Sequence, residues 1–252
     1  MAKQKGIIKI EGTIGDITFY RTRDGYLVRE KGGVDGRRIA SDPSYQRTRE
    51  NNAEFGRAGK AGKMLRTAFR SLLLNRADGR MVSRLSRQML WVIQSDQVSL
   101  RGERHIGEGE LKLLSGFDFN NRGLLSTTFF GSYNVGIDRS SGEMSVDVNP
   151  FIPINTITAP SGSTHFKIIS GAAEIDFAGE TYNVASSETP FMPLDGIETT
   201  AINHVHALTA DTELALAVVL GIDFYQEVNG EYYSLQNGAF NPLSLVEIEN
   251  AV

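Results

Sequence analysis

Residues 214–235 read LALAVVLGIDFYQEVNGEYYSL. The run Leu214–Ile222 is far short of the ~18 apolar residues of a membrane span, and it reads as a buried strand. An Asn-Gly pair between two β-prone runs marks a tight hairpin, because both residues tolerate the positive φ of a type I′ turn. The stretch therefore predicts strands at Leu214–Tyr225 and Tyr232–Leu235, joined through Asn229-Gly230. Upstream, the same texture recurs at Leu111–Leu114, Leu125–Phe130, Met144–Val148, Thr156–Thr158, His165–Ile169, Ala173–Phe177 and Thr181–Val184. Ala178-Gly179 serves as a second turn, between AEIDF and ETYNV. Short strands separated by turn residues predict a mainly antiparallel β-sandwich over residues 108–252, immunoglobulin-like or jelly-roll-like. A bulge at Gly171 would reverse the strand's faces.

Before residue 100 the periodicity changes. Ala58, Ala61, Leu65, Ala68, Phe69 and Leu72 recur three and four apart, predicting a helix that starts near Glu50–Glu54, capped by Thr48 or Asn51/Asn52. Lys60, Lys63, Arg66 and Arg70 fall on its other side. Gly56, Gly59 and Gly62 form a smooth ridge open to close approach. After a turn at 75–79, a second helix over 79–94 has Val82, Leu85, Met89 and Ile93 as its apolar face. Arg80, Arg84, Arg87 and Trp91 form a second stripe, and the two helices read as an αα-hairpin. Earlier still, Ile7–Ile10, Ile17–Tyr20 and the Asp24-Gly25 turn predict an antiparallel meander at 6–31, and residues 31–47 read as a loop. The expected class is α+β: a basic unit at 1–100, a hinge at 95–110 and an acidic sandwich at 108–252.

Charge sharpens that division. Residues 1–104 carry 22 Lys or Arg and 11 Asp or Glu, whereas residues 105–252 carry 4 and 19, so a net charge of −4 hides a +11/−15 split. Such polarity steers oppositely charged partners and suits head-to-tail contact between copies. The chain has no cysteine, which excludes disulfides, thiolate metal sites and thiol nucleophiles. The opening MAKQKGIIKIEGTIGD lacks the apolar core of a secretory signal, which sets a cytoplasmic or particle-associated expectation.

Residue groupings that carry chemistry are sparse in this sequence. His204 and His206 would share one side of a strand, but a zinc site needs a further ligand, and neither Asp211, Glu213 nor His165 is set at a telling spacing. Asp118, Asp138, Asp147, Glu174 and Asp176 include no identifiable acid–base pair. Asp138–Glu143 lacks the twelve-residue calcium pattern, Lys31-Gly32-Gly33 is no phosphate loop, and no G-x-S-x-G elbow occurs. No catalytic residue, metal or cofactor is expected. Arg21, Arg23, Arg29 and Lys31 alternate with Tyr20 and Tyr26 in a manner that could bind nucleic acid, although cross-strand packing explains them more simply.

GTIGDITFY, DGYLVREKGGV, RRI, DPSYQRTRENNAEFG and AGKMLRTAF, between Gly12 and Phe69, together with FYQEVNGEYYSLQNGAFNPLSLV at 224–246, resemble an uncharacterised family associated with Bacteroidota. The resemblance implies a bacterial origin and a shared two-part chain, and it supplies no catalytic residue. The leading expectation is a non-enzymatic structural or assembly protein, phage-related or part of a cell-surface or intracellular particle, that self-associates through Lys60, Lys63, Arg66, Arg70, Arg80, Arg84, Arg87 and Trp91. Nucleic-acid binding by the same basic helices is the first alternative. A carbohydrate-binding sandwich using Tyr225, Tyr232 and Tyr233 is the second.

Overall fold

The computed structural model of the chain describes residues 2–22, 24–30 and 32–252, Gln236 by its backbone alone. Arg23 and Lys31, two of the basic groups expected beside the meander, lie outside the described residues. The chain divides into two compact units, one ending at Arg49 and the other spanning Glu50–Val252.

The first unit is a small antiparallel sheet. Strands β1 (Ala2–Lys3), β2 (Gly12–Ile14), β3 (Ile17–Thr22) and β4 (Gly25–Glu30) lie in the order β1-β4-β3-β2. The expected strand at Ile7–Ile10 is instead an exposed connection, in which Gln4 binds the Ile10 backbone through both its amide oxygen and nitrogen. Gly25, at φ 110°, closes the β3–β4 hairpin. The Arg21 guanidinium lies 5.5 Å from the ring centre of Tyr26, its cross-strand partner, and Arg29 lies 5.3 Å from Tyr20. The expected loop at 31–47 contains helix α1 (Gly36–Ser41) and a 3-10 turn, Pro43–Tyr45. Aspartates set both: Asp35 accepts from the Arg37 amide and Asp42 from the Ser44 amide. Helix α2 (Gln46–Ala68) follows at once, so it begins ahead of the expected Glu50–Glu54.

The second unit has three layers. Its helical layer holds the body of α2, then α3 (Arg70–Leu73) and α4 (Met81–Gln94). Strand β5 (Phe117–Asp118) and the short helix α5 (Leu125–Thr128) lead to β6 (Tyr133–Asp138), β7 (Glu143–Val148) and α6 (Pro153–Thr156). The long strands follow: β8 (His165–Asp176), β9 (Thr181–Glu188), β10 (Met192–Pro193), β11 (Ile202–Ala207), β12 (Ala215–Val228), β13 (Glu231–Ser234) and β14 (Leu243–Glu249). The central sheet runs β10-β8-β12-β14-β5, with β9 also on β8 and β13 also on β12. A second sheet, β11-β7-β6, packs against it. The architecture is α+β with a sandwich of antiparallel sheets, as the sequence pattern predicted.

Two cores explain the unbroken apolar run in β12. Ala215, Ala217 and Val219 face the helices beside Leu65, Phe69, Leu85 and Met89. Leu216, Val218, Leu220 and Ile222 face the smaller sheet beside Met144, Val146 and Val148. A strand covered on both sides alternates between two apolar environments, not between core and water. The hairpin turn forms at Asn229-Gly230, both at positive φ. β8 is one continuous strand: Gly171 pairs with Val219 without a bulge, and the register shift falls instead between β12 and β14 at Val218/Val219. Gly171 is bare for another reason. Leu72 from α3 occupies its face, 2.4 Å from where a Cβ would sit.

Other expectations are corrected. Leu111–Leu114 is a 3-10 turn and Leu125–Thr128 a helical turn; Thr156–Thr158 contributes only an isolated bridge, Ile157 to Phe129. On α4, Leu85, Met89 and Ile93 are buried as expected, but Val82 is exposed while Met81 and Val92 enter the core. Of the glycine ridge, Gly62 packs against Leu85 and Met89, whereas Gly56 and Gly59 face open space. The segment 95–110 is pinned: Asp96 accepts from the amides of Val98, Ser99 and His105, and Arg57 donates to the carbonyls of Gly102 and Arg104. The helices therefore share one core with the central sheet, and the change of charge near residue 104 is not a boundary between compact units.

Candidate functional site

Residues 55–95 carry nine Lys or Arg and one carboxylate, Asp78. In a helix, positions 80, 84, 87 and 91 fall in one stripe. With Leu85, Met89, Val92 and Ile93 committed to the core, that stripe faces outward. Its members have different fates. Arg84 donates to the Asp118 carbonyl at 2.8 Å and to the Asp78 carboxylate, and lies 5.0 Å from the Phe117 ring centre. Burial opposes ionisation of Asp78, but amide donors Arg80 and Asn121 and the Arg84 guanidinium outweigh it and hold its carboxyl below the usual range. Arg66 donates to the Gly62 carbonyl of its own helix at 3.2 Å. Lys60, Lys63, Arg70, Arg80 and Arg87 are exposed and make no ion pair among the described residues.

Arg87 covers Trp91, its guanidinium 4.8 Å from the indole centre, and Trp91 remains 44% exposed. Beside them opens a cavity of about 330 Å³ lined by Arg84, Arg87, Trp91, Phe117, Asp118 and Leu124. Asp118 stands on the edge strand β5; burial pushes its carboxyl up, against the hydrogen bond it accepts from the Leu125 amide. Gln88, Ser115 and Asn121 also line it, so the cavity mixes aromatic and aliphatic surface at Trp91, Phe117 and Leu124 with polar groups, two guanidinium groups and one carboxylate. The stripe was legible from helical spacing, but Phe117, Asp118 and Leu124 were not, because they come from an edge strand and loop distant in sequence.

The opposite outer layer has the opposite sign. Strands β6, β7 and β11 contain no Lys or Arg. Val135, Val146 and His204 and their alternates point inward, which leaves Asp138, Glu143 and Asp147 on the outer face beside Asn134, Asn203 and Val205. Asp138 and Glu143 are cross-strand partners, a like-charge pairing that weakens a sheet.

The other candidate groups are absorbed locally. His204 and His206 do share a side, but both reach Ser170 Oγ, at 2.7 and 2.9 Å, in the core between the sheets. Burial pushes His206 down to about 4, helped by the neighbouring His204. No group of three His, Asp or Glu able to hold a metal occurs among the described residues. Glu174 accepts from Thr209 and Thr212; Asp138 and Asp176 hold their own turns; Asp147 accepts from Asn203 and Ser145. Tyr225 and Tyr232 pack on Phe191, with Tyr232 stacked at 4.0 Å, and Lys167 lies 4.3 Å from the Phe191 centre. Those ring faces are occupied by one another, while Tyr233 is exposed. No helix among the described residues is long and apolar enough to cross a membrane. No family model, curated protein or solved structure matched the chain, so the likeness read between Gly12 and Phe69 rests on its sequence motifs.

Proposed function

We propose that this chain is a non-enzymatic assembly protein that self-associates head to tail, the helical layer of one copy meeting the acidic sheet layer of the next. The observation that carries the reading is the placement of charge on opposite outer layers of one unit: Lys60, Lys63, Arg70, Arg80 and Arg87 on one, Asp138, Glu143 and Asp147 on the other. Arg87 and Trp91, residue types that dominate the energetics of protein interfaces, sit together at the C-terminal end of the basic stripe beside a cavity.

The test is light scattering coupled to size exclusion across concentration and salt. The expected result is a mass above the 27.7 kDa monomer at low salt, falling toward it as salt rises. Trp91 is the chain's one tryptophan, so its emission should shift in the same titration. A monomer at high concentration and low salt would overturn the proposal. Tight, salt-dependent binding of a nucleic-acid oligomer by such a monomer would move the basic layer to the polyanion reading.

A further inference from the structure

The cavity beside Trp91 is open to solvent and brings Trp91, Phe117 and Leu124 together with Arg84 and Arg87, so a complementary knob must satisfy three conditions. It must be apolar at its tip, negatively charged at its flanks and held rigid enough that docking costs little entropy. Among the exposed apolar groups of the acidic half, Ile197 meets all three, and Ile154 is bonded to the same loop. They are 74% and 61% exposed. Ile197 stands in the loop Asp195-Gly196-Ile197-Glu198, between two carboxylates. The loop is tied down: Asp195 Oδ1 accepts from the Ile197 amide at 2.9 Å, and the Ile154 amide donates to the Asp195 carbonyl at 3.0 Å. Beyond it, the Thr199 amide donates to the Phe151 carbonyl at 2.9 Å and Thr199 Oγ1 accepts from the Phe151 amide at 3.1 Å. The hairpin tip Glu227–Glu231 also combines acid with an exposed Val228, but it projects from the central sheet, and Glu227 already faces His165.

We infer that the Ile154/Ile197 knob of a second copy occupies the Trp91 cavity, its apolar tip between Trp91 and Leu124 and Glu198 against Arg87. The inference rests on the self-association reading and adds its contact. Phe151, to which the knob is tied, belongs to the core on the smaller-sheet side, whereas the cavity opens between α4 and the edge strand β5, so knob and cavity are separate patches of one copy. Two different patches then meet at each junction. Such heterologous contact leaves a free knob and a free cavity at the ends of every open oligomer, and it grows into a ring or a filament.

This asymmetry supplies the test. A knob variant, Ile154→Ser/Ile197→Ser, and a cavity variant, Arg87→Glu/Trp91→Ala, change exposed side chains and should leave the thermal midpoint close to that of the parent chain. Each alone should be monomeric at the low salt at which the parent chain associates. Mixed in equal amounts, they should form a species of twice the monomer mass and stop there, because each retains one functional patch. Glu198→Lys, which keeps the apolar tip, should weaken parent-chain association at least tenfold at low salt and much less at high salt. If the knob variant associates like the parent while the cavity variant does not, the knob assignment is wrong and the basic stripe stands. If both associate like the parent, both readings fail. If the mixture stays monomeric, the head-to-tail contact is refuted.

Discussion

Asp223→Asn should break a buried ion pair, Arg76 with Asp223, that anchors the helical layer to the central sheet. Asp223 lies on β12, almost fully buried, and accepts from Arg76 Nε at 2.6 Å, from a second guanidinium nitrogen, from Asn241 Nδ2 at 2.7 Å and from Tyr225 Oη at 3.3 Å. Arg76 is nearly as enclosed and also donates to the Leu72 carbonyl at 2.7 Å. The pair ties the turn after α3 to the middle of the central sheet. An asparagine fits the space but turns an amide donor toward a guanidinium that can only donate, leaving a buried charge without its counterpart. Breaking a buried pair from one side costs about 3–5 kcal/mol. Urea unfolding should show that loss as a lower midpoint at unchanged slope. Arg76→Met should cost a similar amount, and the double variant less than the sum by roughly 1–3 kcal/mol, since the second change removes a charge already stranded. Tyr225 gives an independent readout. Burial, and then the Asp223 carboxylate, push its hydroxyl up to about 12, so Asp223→Asn should lower that value without restoring it to 10. Additive costs, or an unmoved Tyr225 titration, would refute the reasoning.

The buried histidines predict an acid dependence. His206 is depressed to about 4 when folded against 6.5 when free, so the unfolded chain takes the proton first; its stabilising contribution is complete above about pH 6.5 and lost as pH falls toward 4. The full effect is roughly 3 kcal/mol, read from urea midpoints between pH 7 and 4.5, and a flat profile would contradict it. Glycines give a pair of opposite sign. A Cβ at Gly221 would sit 2.6 Å from the Pro242 carbonyl oxygen, so Gly221→Ala should cost about 1–3 kcal/mol, whereas Gly59→Ala on α2 meets nothing and should gain about 0.5–1 kcal/mol. Calorimetric midpoints moving the same way for both would count against the packing described. Leu85→Ala, at a fully buried site between α4 and the sheet, should lose about 2–5 kcal/mol in the same measurement.

Helical periodicity, turn dipeptides and the length of apolar runs carried most of the fold, and each failed where its physics is ambiguous. Leu111–Leu114 and Leu125–Phe130 look like strands because four apolar residues fit one strand or one helical turn equally well. Side chains decide the matter: Glu110 accepts from the Lys112 amide, and Asp118 from the Leu125 amide across the chain. The reverse error hid β6 and β11. Gly136 and Asn134 dilute the alternation of YNVGID, and the histidines of INHVHA draw attention to metal binding when they are core residues bridged by Ser170. Spacing places Val82 on the helical face of Leu85 and Met89, but that face is not covered at position 82, in the first turn of α4. For the candidate site, spacing exposed the stripe. Which arginines remain free depends on Asp78 and on the Asp118 carbonyl, and such long-range pairing leaves no mark in local sequence.

The charge split acquires its meaning from the layering. The core-facing strand residues hold few charges, so most charged side chains of the second unit must go outward, onto the helical layer or onto the smaller sheet. Because the helices precede the strands of that sheet in the chain, a gradient along the sequence becomes a gradient across the fold. Stacked layers lie ~10 Å apart, which sets the two outer faces roughly 20 Å from each other. At physiological salt, screening acts over ~8 Å. The basic and acidic layers of one copy are therefore too far apart to neutralise each other, whereas two copies in contact bring the same groups within a few ångströms. Under the proposed head-to-tail association, charge left uncompensated in the monomer would be compensated at the junction, and adding salt should weaken that junction without unfolding either partner. Dissociation accompanied by loss of the near-ultraviolet signal of Trp91 packing and of the helical signal together would instead mean that salt acts on the fold, and the electrostatic argument would fail.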